Sequence, residues 1–326
     1  MKSQLKLNIK VAGLSNSRKM LSDPEGIDLT NWQDQLAMGE KADPDAFFKI
    51  AKGLHLRNSI YVDNTANEKI AHTYPPYLKS SISVVTCNKI AAAENYAYYS
   101  NLKQLARTYN APYLFETNVG AGLPIIDTLN HLIASGDKVI TIQAILSGSL
   151  NFVFNKFNDK TTFRKVVQQA MDAGFTEPDP KIDLSGVDVA RKILILARES
   201  GLEMELSDID NESFLPKACL ETKDNDSFLA CLDDHNDHFD KLFKSALSKN
   251  CRLKYVAELV DGKAKVGLKE IPVGHDFYNL SGSDNIVLFY TDRYKDQPLI
   301  VKGAGAGGEV TASGIFADII LSLIHI

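Results

Sequence analysis

The sequence predicts an α/β fold with a second, α+β part, and three features of its 326 residues lead to this prediction. Short apolar strands alternate with helical segments through residues 1 to 117, as in a parallel sheet covered by helices. Residues 251 to 302 contain strand patterns separated by turns, which indicates an antiparallel sheet. A chain of this length is expected to form two domains with substantial cores.

The first predicted strand covers residues 5 to 14 and leads into a polar loop that contains Ser17 and Arg18. This junction suits the second strand of a Rossmann-type NAD(P)-binding domain. An acid at that point would bind a ribose 2′-hydroxyl, whereas small hydroxyls and an arginine accommodate a 2′-phosphate. The loop has no acid, so the sequence favours NADP, with NAD as the alternative cofactor. The competing interpretation is that Arg18 and Lys19 are ordinary surface charges.

A Rossmann-type domain is expected to open with a strand and a glycine turn that binds the pyrophosphate. No G-x-G-x-x-G turn precedes residue 5. We therefore expect the chain to be an N-terminally truncated fragment in which this first strand and its turn are missing.

Two later strands of the predicted parallel sheet end in polar residues. These are Asn64 and Thr65 after the strand at residues 59 to 63, and Asn88 and Lys89 after the strand at residues 82 to 86. Ligands of such sheets bind at the carboxyl ends of the strands, so these residues are candidates for cofactor binding. An Asn-Lys pair in this position is weak support by itself, because most lysines that follow strands are solvated.

Charged groups are concentrated in residues 175 to 192, FTEPDPKIDLSGVDVARK. Pro178 and Pro180 restrict the backbone on both sides of Asp179, which predicts a stiff connector that carries Glu177 and Asp179. We interpret this connector, together with the helix that follows it, as the candidate active site.

The helix after the connector is predicted from Val187 to Ser200, with Ser185 as its N-cap and Asp188 in a capping-box position. Helical periodicity places Arg191 and Arg198 on its solvent-facing side. The apolar stripe consists of Val189, Ala190, Ile193, Leu196 and Ala197.

Asp188 and Lys192 lie four residues apart at the edge of that stripe, within reach of each other. Burial at the border of a core lowers the proton affinity of a lysine and a nearby carboxylate opposes that change, so the pair could be tuned for acid/base catalysis. The alternative is a helix cap with an exposed ion pair, worth roughly a few tenths of a kcal/mol.

The run TEPDPKIDLSGVDVARK closely resembles the signature of homoserine dehydrogenases, which interconvert L-aspartate 4-semialdehyde and L-homoserine with a nicotinamide cofactor. The resemblance covers nearly the whole chain except its tail, and is greatest to the dehydrogenase part of bifunctional aspartokinase/homoserine dehydrogenases. It implies that Lys192 donates a proton to the carbonyl oxygen and that Lys89 and Asp188 support catalysis. The substrate-binding residues that it implies are Thr176, Glu177, Asp183 and Asp188.

A glycine turn at residues 117 to 124, TNVGAGLP, can expose carbonyl oxygens to a hard cation. The resemblance implies a monovalent cation, usually sodium. Its ligands would be the side chain of Glu116 and the backbone oxygens of Val119, Ala121 and Leu123. A plain hinge between domains would explain the same sequence.

The glycine-rich run at residues 303 to 314 precedes a helix predicted from Ile315. Backbone amides before a helix can bind an anion, and the resemblance implies that Gly307 contacts the cofactor. A glycine-rich linker is the alternative. The resulting division assigns residues 1 to 117 and 300 to 326 to the NAD(P)-binding domain, and 118 to 299 to a substrate and dimerisation domain.

The composition and charge exclude several other classes of protein. A net charge of −5 without a basic stripe argues against nucleic-acid binding, and no apolar run approaches the length of a membrane span. The four cysteines lack C-x-x-C spacing, which predicts isolated reduced thiols and a cytoplasmic protein. His235 and His238 are expected to be solvated rather than metal ligands.

The resemblance implies a homoserine dehydrogenase of threonine, methionine and isoleucine biosynthesis. The resemblance also implies a homodimer or higher oligomer and an aspartokinase domain upstream in the intact protein. Two alternatives remain open at this point: a folded but inactive substrate-binding fragment, and a reductase of another semialdehyde.

Overall fold

The computed structural model describes residues 7 to 324, in which twelve strands and fifteen α-helices are found. The strands are β1 (Gly13–Ser15), β2 (Lys19–Ser22), β3 (Glu40–Lys41), β4 (Ile60–Asp63), β5 (Ser83–Thr86), β6 (Tyr113–Leu114), β7 (Val139–Ile145), β8 (Asp210–Glu212), β9 (Cys251–Val260), β10 (Lys263–Pro272), β11 (Asp284–Thr291) and β12 (Leu299–Ala304). The helices are α1 (Trp32–Ala37), α2 (Pro44–Gly53), α3 (Glu68–Ala71), α4 (Tyr74–Lys79), α5 (Lys89–Ala93), α6 (Tyr96–Thr108), α7 (Ile125–Ala134), α8 (Gly148–Lys156), α9 (Phe163–Asp172), α10 (Pro180–Leu184), α11 (Val187–Glu199), α12 (Lys217–Leu220), α13 (Asn225–Asp234), α14 (Asn236–Ser248) and α15 (Gly308–Ile324).

A small parallel sheet forms the core of the first part of the chain, in the order β4-β5-β6. All four residues of β5 are buried, because helices cover both faces of the sheet. Asp63 pairs with Thr86, so β4 and β5 end at the same edge. The predicted strands at residues 59 to 63 and 82 to 86 are confirmed to within a residue. The polar residues that follow β4 and β5 in the chain lie at this edge.

The strand predicted at residues 5 to 14 is wrong in extent and in pairing. Residues 7 to 12 are not in a strand, and residues 5 and 6 lie outside the described part of the chain. The backbone N–H groups of Asp23 and Ile27 donate to the carbonyls of Ala12 and Val11. Residues 11 and 12 are therefore hydrogen-bonded to the turn that follows β2. The short strand β1 that follows joins an antiparallel sheet, β1-β2-β3, instead of the parallel one.

A six-stranded sheet dominates the second part of the chain, in the order β12-β11-β7-β9-β10-β8. Its pairs are antiparallel except for β8 with β10, which confirms the open antiparallel sheet that was predicted for residues 251 to 302. Helices α8, α11 and α14 pack against β9 on one face. The other face carries a separate apolar cluster that includes Val256, Phe277 and Leu288.

Helix α11 begins at Val187 as predicted, but its N-cap is Gly186 rather than Ser185. Gly186 has φ = +75°, a left-handed conformation that favours glycine, and a Cβ at this position would overlap the ring of Tyr255. The hydroxyl of Tyr255 donates to Asn211, whose amide donates to the carbonyl of Ser185 at 3.0 Å. The start of α11 is therefore fixed by the sheet beneath it.

The predicted apolar stripe of α11 is confirmed, since all five of its residues are buried. The solvent-facing position predicted for Arg198 is wrong, because this residue is only 3% exposed. Helix α5 and the chain leading into α6 cover the side of α11 that a helical wheel assigns to solvent. Arg191 is exposed as predicted.

The last helix, α15, begins at Gly308 instead of Ile315, so half of the glycine-rich run is helical. It packs against β5 and against the 3-10 turn Glu116–Asn118, while β12 just before it belongs to the six-stranded sheet. A Cβ on Gly122 or Gly314 would overlap atoms of the facing segment. Glycine is thus needed where α15 crosses the 117 to 124 turn.

The prediction of four isolated thiols is wrong for two of them. Cys219 and Cys231 form a disulfide, with Cα atoms 5.5 Å apart, because α12 and α13 fold back on each other. Cys87 and Cys251 are free. Among residues 7 to 324, no helix is both long enough and apolar enough to cross a membrane.

Candidate active site

Three charged side chains from two helices meet at one point. Lys192 Nζ lies 2.8 Å from Asp188 Oδ2 and donates to the carbonyl oxygen of Leu146 at 2.7 Å. Lys89 Nζ lies 3.3 Å from the other carboxylate oxygen, Asp188 Oδ1. The side chain of Lys192 is 12% exposed, whereas Lys89 and Asp188 are about one-third exposed. The group is therefore a half-buried cluster rather than the exposed ion pair that was the alternative.

The carboxylate of Asp188 is held in its ionised form. Its burial would raise the pKa, but the charges of Lys192 and Lys89 outweigh that effect and hold the pKa of Asp188 well below its usual range. Two positive charges and one negative charge leave a net positive charge beside the exposed edge of the cluster. Such a cluster can stabilise an oxyanion and supply a proton to it.

Each member of the cluster lies near the start of a helix. Lys89 is the first residue of α5, directly after β5, and Asn88 caps that helix through the backbone N–H of Ile90. Asp188 and Lys192 lie in the first two turns of α11. Leu146 immediately follows β7 in the larger sheet. The cluster therefore lies where the end of the parallel sheet meets the second part of the chain.

Asp63 is an important residue of this site that the sequence interpretation missed. It ends β4, is 1% exposed, and accepts hydrogen bonds from Tyr74 Oη at 2.5 Å, Asn88 Nδ2 at 3.0 Å and the backbone N–H of Thr65 at 2.8 Å. This carboxylate fixes the two segments that follow β4 and β5. A carboxylate at the end of an apolar strand was the signal available in the sequence, because a buried carboxyl group requires hydrogen-bonding partners.

The connector before α11 is tied down by Asp183. Asp183 Oδ1 accepts from Ser149 Oγ at 2.9 Å, and Oδ2 accepts from the backbone N–H of Glu177 at 2.8 Å. Burial raises the pKa of Asp183, and the charge of Asp188 adds to this rise, while the two hydrogen bonds oppose it. The carboxylate predicted to bind substrate thus has both oxygens engaged in holding the connector.

Glu177 and Thr176 occupy the open side of the connector, where Glu177 is exposed and Thr176 is half-buried. The connector is less extended than predicted, because Pro180 begins the short helix α10 and Asp179 caps it. Its backbone is also held from α13, whose Asn225 donates from Nδ2 to the carbonyl of Pro178 at 2.7 Å. The side chain of Glu177 remains available to a ligand.

Glu116, the predicted cation ligand, caps helix α7. Its Oε1 accepts from the N–H groups of Ile125 and Ile126, and its Oε2 accepts from that of Asp127, all at 2.7 Å. Burial raises the pKa of Glu116 to about 8, against the opposing effect of these hydrogen bonds. The carbonyl of Leu123 accepts from Ile125 N–H at 2.8 Å.

The residues predicted to bind the cofactor fall into three places. Asn64, Thr65, Asn88 and Lys89 are together at the edge of the parallel sheet, where Asn88 Nδ2 lies 3.5 Å from Thr65 Oγ1. Gly307, with φ = +123°, immediately precedes α15. Ser17 and Arg18 lie on the exposed turn between β1 and β2, which Asn16 closes by accepting from the N–H of Arg18 at 2.8 Å.

Two family models together match nearly the whole chain. The sequence model described as "Homoserine dehydrogenase, NAD binding domain" matches residues 1–116, and the one described as "Homoserine dehydrogenase" matches residues 124–320. The Haemophilus influenzae bifunctional aspartokinase/homoserine dehydrogenase is 41% identical over 98% of this chain and 39% of its own length. A Paracoccidioides brasiliensis homoserine dehydrogenase is 40% identical over 80% of this chain and 73% of its own.

Solved structures show the same architecture. A protein of unknown function from Candida auris superposes with a TM-score of 0.90 at 37% identity, covering 96% of this chain and 90% of that one. A hyperthermophilic archaeal homoserine dehydrogenase in complex with NADPH has a TM-score of 0.73 at 24% identity, covering 97% and 88%. This second likeness concerns the fold alone. The chain spans about two-fifths of the length of the bifunctional relative.

Proposed function

Because the chain belongs to the homoserine dehydrogenase family, we propose that it catalyses the NAD(P)-dependent interconversion of L-aspartate 4-semialdehyde and L-homoserine. The observation that carries this proposal is the meeting of Lys192, Asp188 and Lys89 at the edge of the parallel sheet. The nicotinamide, when bound, supplies or accepts the hydride at the substrate carbon. The protein's own side chains supply the proton and orient the substrate.

In the reducing direction, the Lys192 ammonium donates a proton to the oxygen that gains negative charge as the carbonyl is reduced. The reverse reaction returns that proton from the homoserine hydroxyl to the neutral amine. Two fixed acceptors, Asp188 Oδ2 and the Leu146 carbonyl, orient the ammonium group so that its third N–H can face the substrate. Lys89 supplies a second positive charge close to the same oxygen.

The acidic residues have different roles in this proposal. Glu177 and Asp188 attract the ammonium group of the amino acid, with Thr176 beside them as a further polar contact. Asp183 acts through the connector, since its oxygens bind Ser149 and the backbone of Glu177. The direct substrate contact that the family resemblance implies for Asp183 stays a prediction beside this role.

We also propose that NADP is the preferred cofactor and NAD the alternative. The support is an exposed turn with Ser17 and Arg18 and without an acid, which suits a 2′-phosphate. Asn64, Thr65 and Asn88 would bind the cofactor along the sheet edge. Gly307 would present the first amides of α15 to its phosphates.

A monovalent cation, most simply sodium, is proposed at the 117 to 124 turn. The donor set fits a hard cation, because it consists only of oxygens: the Glu116 carboxylate and the carbonyls of Val119, Ala121 and Leu123. Glu116 Oε2 accepts one hydrogen bond and retains further acceptor capacity. The cation would hold the turn that α15 crosses, and no proton transfer is assigned to it.

Assembly and context are likewise proposals. We propose a homodimer or higher oligomer, since the edge strand β12 has no partner on its outer side among the described residues. An aspartokinase domain upstream in the intact protein, a cytoplasmic location, and a division into domains at residues 117 and 299 remain predictions. The larger sheet extends to Ala304, slightly past the second boundary.

The proposal is tested with a panel of substrates. The chain is incubated with NADP⁺ and L-homoserine, and in the other direction with NADPH and L-aspartate 4-semialdehyde or other semialdehydes, while a separate titration measures NADPH binding. Activity with the homoserine pair supports the proposal. Activity with a different semialdehyde alone would support a related reductase, and no NADPH binding would support an inactive fragment.

A further inference from the structure

We propose that Arg198, near the C-terminal end of α11, is a positioning residue that sets the placement of Lys89 relative to Lys192. This inference rests on the proposed dehydrogenase function, because only that function gives the two lysines roles in catalysis. Arg198 itself is two turns away from Lys192 and does not contact the cluster. It would act through helix α5, whose first residue is Lys89.

All three nitrogens of the Arg198 guanidinium group donate hydrogen bonds. Its Nη1 donates to the carbonyls of Ala92 at 2.9 Å and Glu94 at 2.6 Å, and its Nε donates to the carbonyl of Met204 at 3.0 Å. Its Nη2 lies 3.1 Å from Glu205 Oε2. The Arg198 side chain has no exposed surface, so its contacts with the backbone carbonyls are shielded from solvent, whereas Glu205 is partly exposed.

Two of these contacts hold the C-terminal end of α5. Helix carbonyls in the last turn lack helical partners, and a cation there also favours the helix dipole. The helix has only five residues, Lys89–Ala93, and Glu94 leaves it in extended conformation. A helix this short has little stability of its own, so its orientation depends on the groups that hold its two ends.

The opposite end of α5 is held by α11 as well, through the pair of Lys89 and Asp188. Helix α11 therefore holds α5 at both ends: Asp188 near its own N-terminus and Arg198 near its own C-terminus. The two attachment points on α11 are ten residues apart, roughly 15 Å along its axis. Lys192 lies between them, so the position of Lys89 relative to Lys192 is defined by this arrangement.

The start of α6 strengthens the same attachment. Glu205, the partner of Arg198, accepts from the N–H of Tyr96 at 2.8 Å, and the rings of Tyr96 and Tyr99 lie 5.7 and 5.3 Å from the guanidinium carbon. Glu199, next to Arg198, pairs with Lys103 of α6 at 2.9 Å. The corner between α5 and α6 is thus held by charge-assisted hydrogen bonds to the last turn of α11.

A small displacement of Lys89 is expected to affect turnover, because catalysis depends on placement within a fraction of an ångström. The first test is a double-mutant cycle on L-homoserine oxidation with Arg198→Met, Lys89→Met and the double variant. We expect Arg198→Met alone to lower kcat on the order of ten- to a hundredfold. In the Lys89→Met background it should change kcat less than about threefold.

Controls separate positioning from a loss of fold. Arg191→Met changes an exposed arginine on the same helix and should leave kcat unchanged. Glu205→Gln is a milder variant that keeps the acceptor for Tyr96 and removes the ion pair, and it should show the same dependence on Lys89 if Arg198→Met does not fold. Equal fold-losses with and without Lys89 would overturn the proposal, because they indicate a merely structural role.

A second readout does not require turnover. Acetylation by a limiting amount of acetic anhydride, followed by mass spectrometry, reports how firmly Asp188 holds the amine of each lysine. Arg198→Met should accelerate acetylation of Lys89 several-fold and leave the exposed Lys263 unchanged. An unchanged rate at Lys89 would overturn the positioning role. An inactive wild-type protein that shows the expected acetylation change would refute the proposed function alone.

Discussion

The carboxylate of Asp183 accepts a hydrogen bond from the backbone N–H of Glu177 at 2.8 Å, which joins the short helix α10 to the connector before it. The same carboxylate accepts from Ser149 at the start of α8. One half-buried acid thus fixes the position of an exposed acid that is proposed to bind the substrate. We propose that Glu177 binds the substrate and that Asp183 helps to place it.

Replacement of Asp183 by Asn is expected to raise the KM for L-homoserine by about tenfold with a smaller change in kcat. The amide can accept only one of the two hydrogen bonds, so the backbone at Glu177 becomes less well placed. Steady-state kinetics over a range of L-homoserine concentrations measures the effect. A large fall in kcat at unchanged KM would instead show that Asp183 takes part in the proton transfer.

Asp188→Asn is expected to reduce stability in a pH-dependent way. The pKa of Asp188 is lowered in the folded state, so its contribution is present above the ordinary carboxyl range and is lost as the pH falls through the folded pKa. The wild-type protein should therefore exceed the variant in free energy of unfolding at pH 7. The difference should shrink below about pH 4. Urea denaturation at a series of pH values measures it, and a difference that does not vary with pH would contradict the assignment.

Lys254 is expected to give a pH dependence of the same sign, but at alkaline pH. It is 1% exposed and donates to Asn151, Asn155 and the carbonyl of Leu280, with no carboxylate among these partners. Burial, aided by the charge of Arg252, lowers the pKa of Lys254 to about 8. The unfolded state then binds more protons above this pH, so stability gains at most about 3 kcal/mol from this residue as the pH rises from 8 towards 10.5.

The variant Lys254→Met should remove that gain. Denaturation midpoints of both proteins between pH 7 and 10 measure it, within the range where the fold is retained. The wild-type protein should gain stability relative to the variant as the pH rises. A constant difference between the two would show that Lys254 titrates at its ordinary pKa in the folded protein.

Gly186→Ala is expected to cost roughly 3 kcal/mol or more of unfolding free energy, since it combines left-handed backbone strain with overlap against Tyr255. Gly136 provides a matched control, because it has φ = +83° but no atoms near the position of a Cβ. Gly136→Ala should cost only about 1 kcal/mol. Equal costs, measured by chemical denaturation, would show that contact with Tyr255 does not fix the start of α11.

The sequence was sufficient where local periodicity decides the structure. The i, i+4 pair of Asp188 and Lys192 and the apolar stripe of α11 follow from helical geometry alone, and the structure confirms both. Strand ends at Asp63 and Thr86 were also predictable, because apolar runs stop there. These features depend on neighbours within a few residues.

The sequence was insufficient where a distant segment supplies the partner. Arg198 lies on the polar side of its helix, and only the fold shows that α5 and α6 cover it. The disulfide of Cys219 and Cys231 depends on how α12 packs on α13, which residue spacing does not reveal. The roles of Asp63 and Asp183 as anchors likewise require knowledge of the donors that surround them.

The central claim is that Lys192 transfers a proton in the oxidation of L-homoserine. The most direct measurement compares wild-type protein and Lys192→Ala in NADP⁺-dependent oxidation of L-homoserine, followed by the absorbance of NADPH, in this chain and in one extended upstream. We predict activity in the wild-type protein and a fall of about two to four powers of ten in the variant, with NADPH binding retained. Near-normal turnover in Lys192→Ala would contradict the claim.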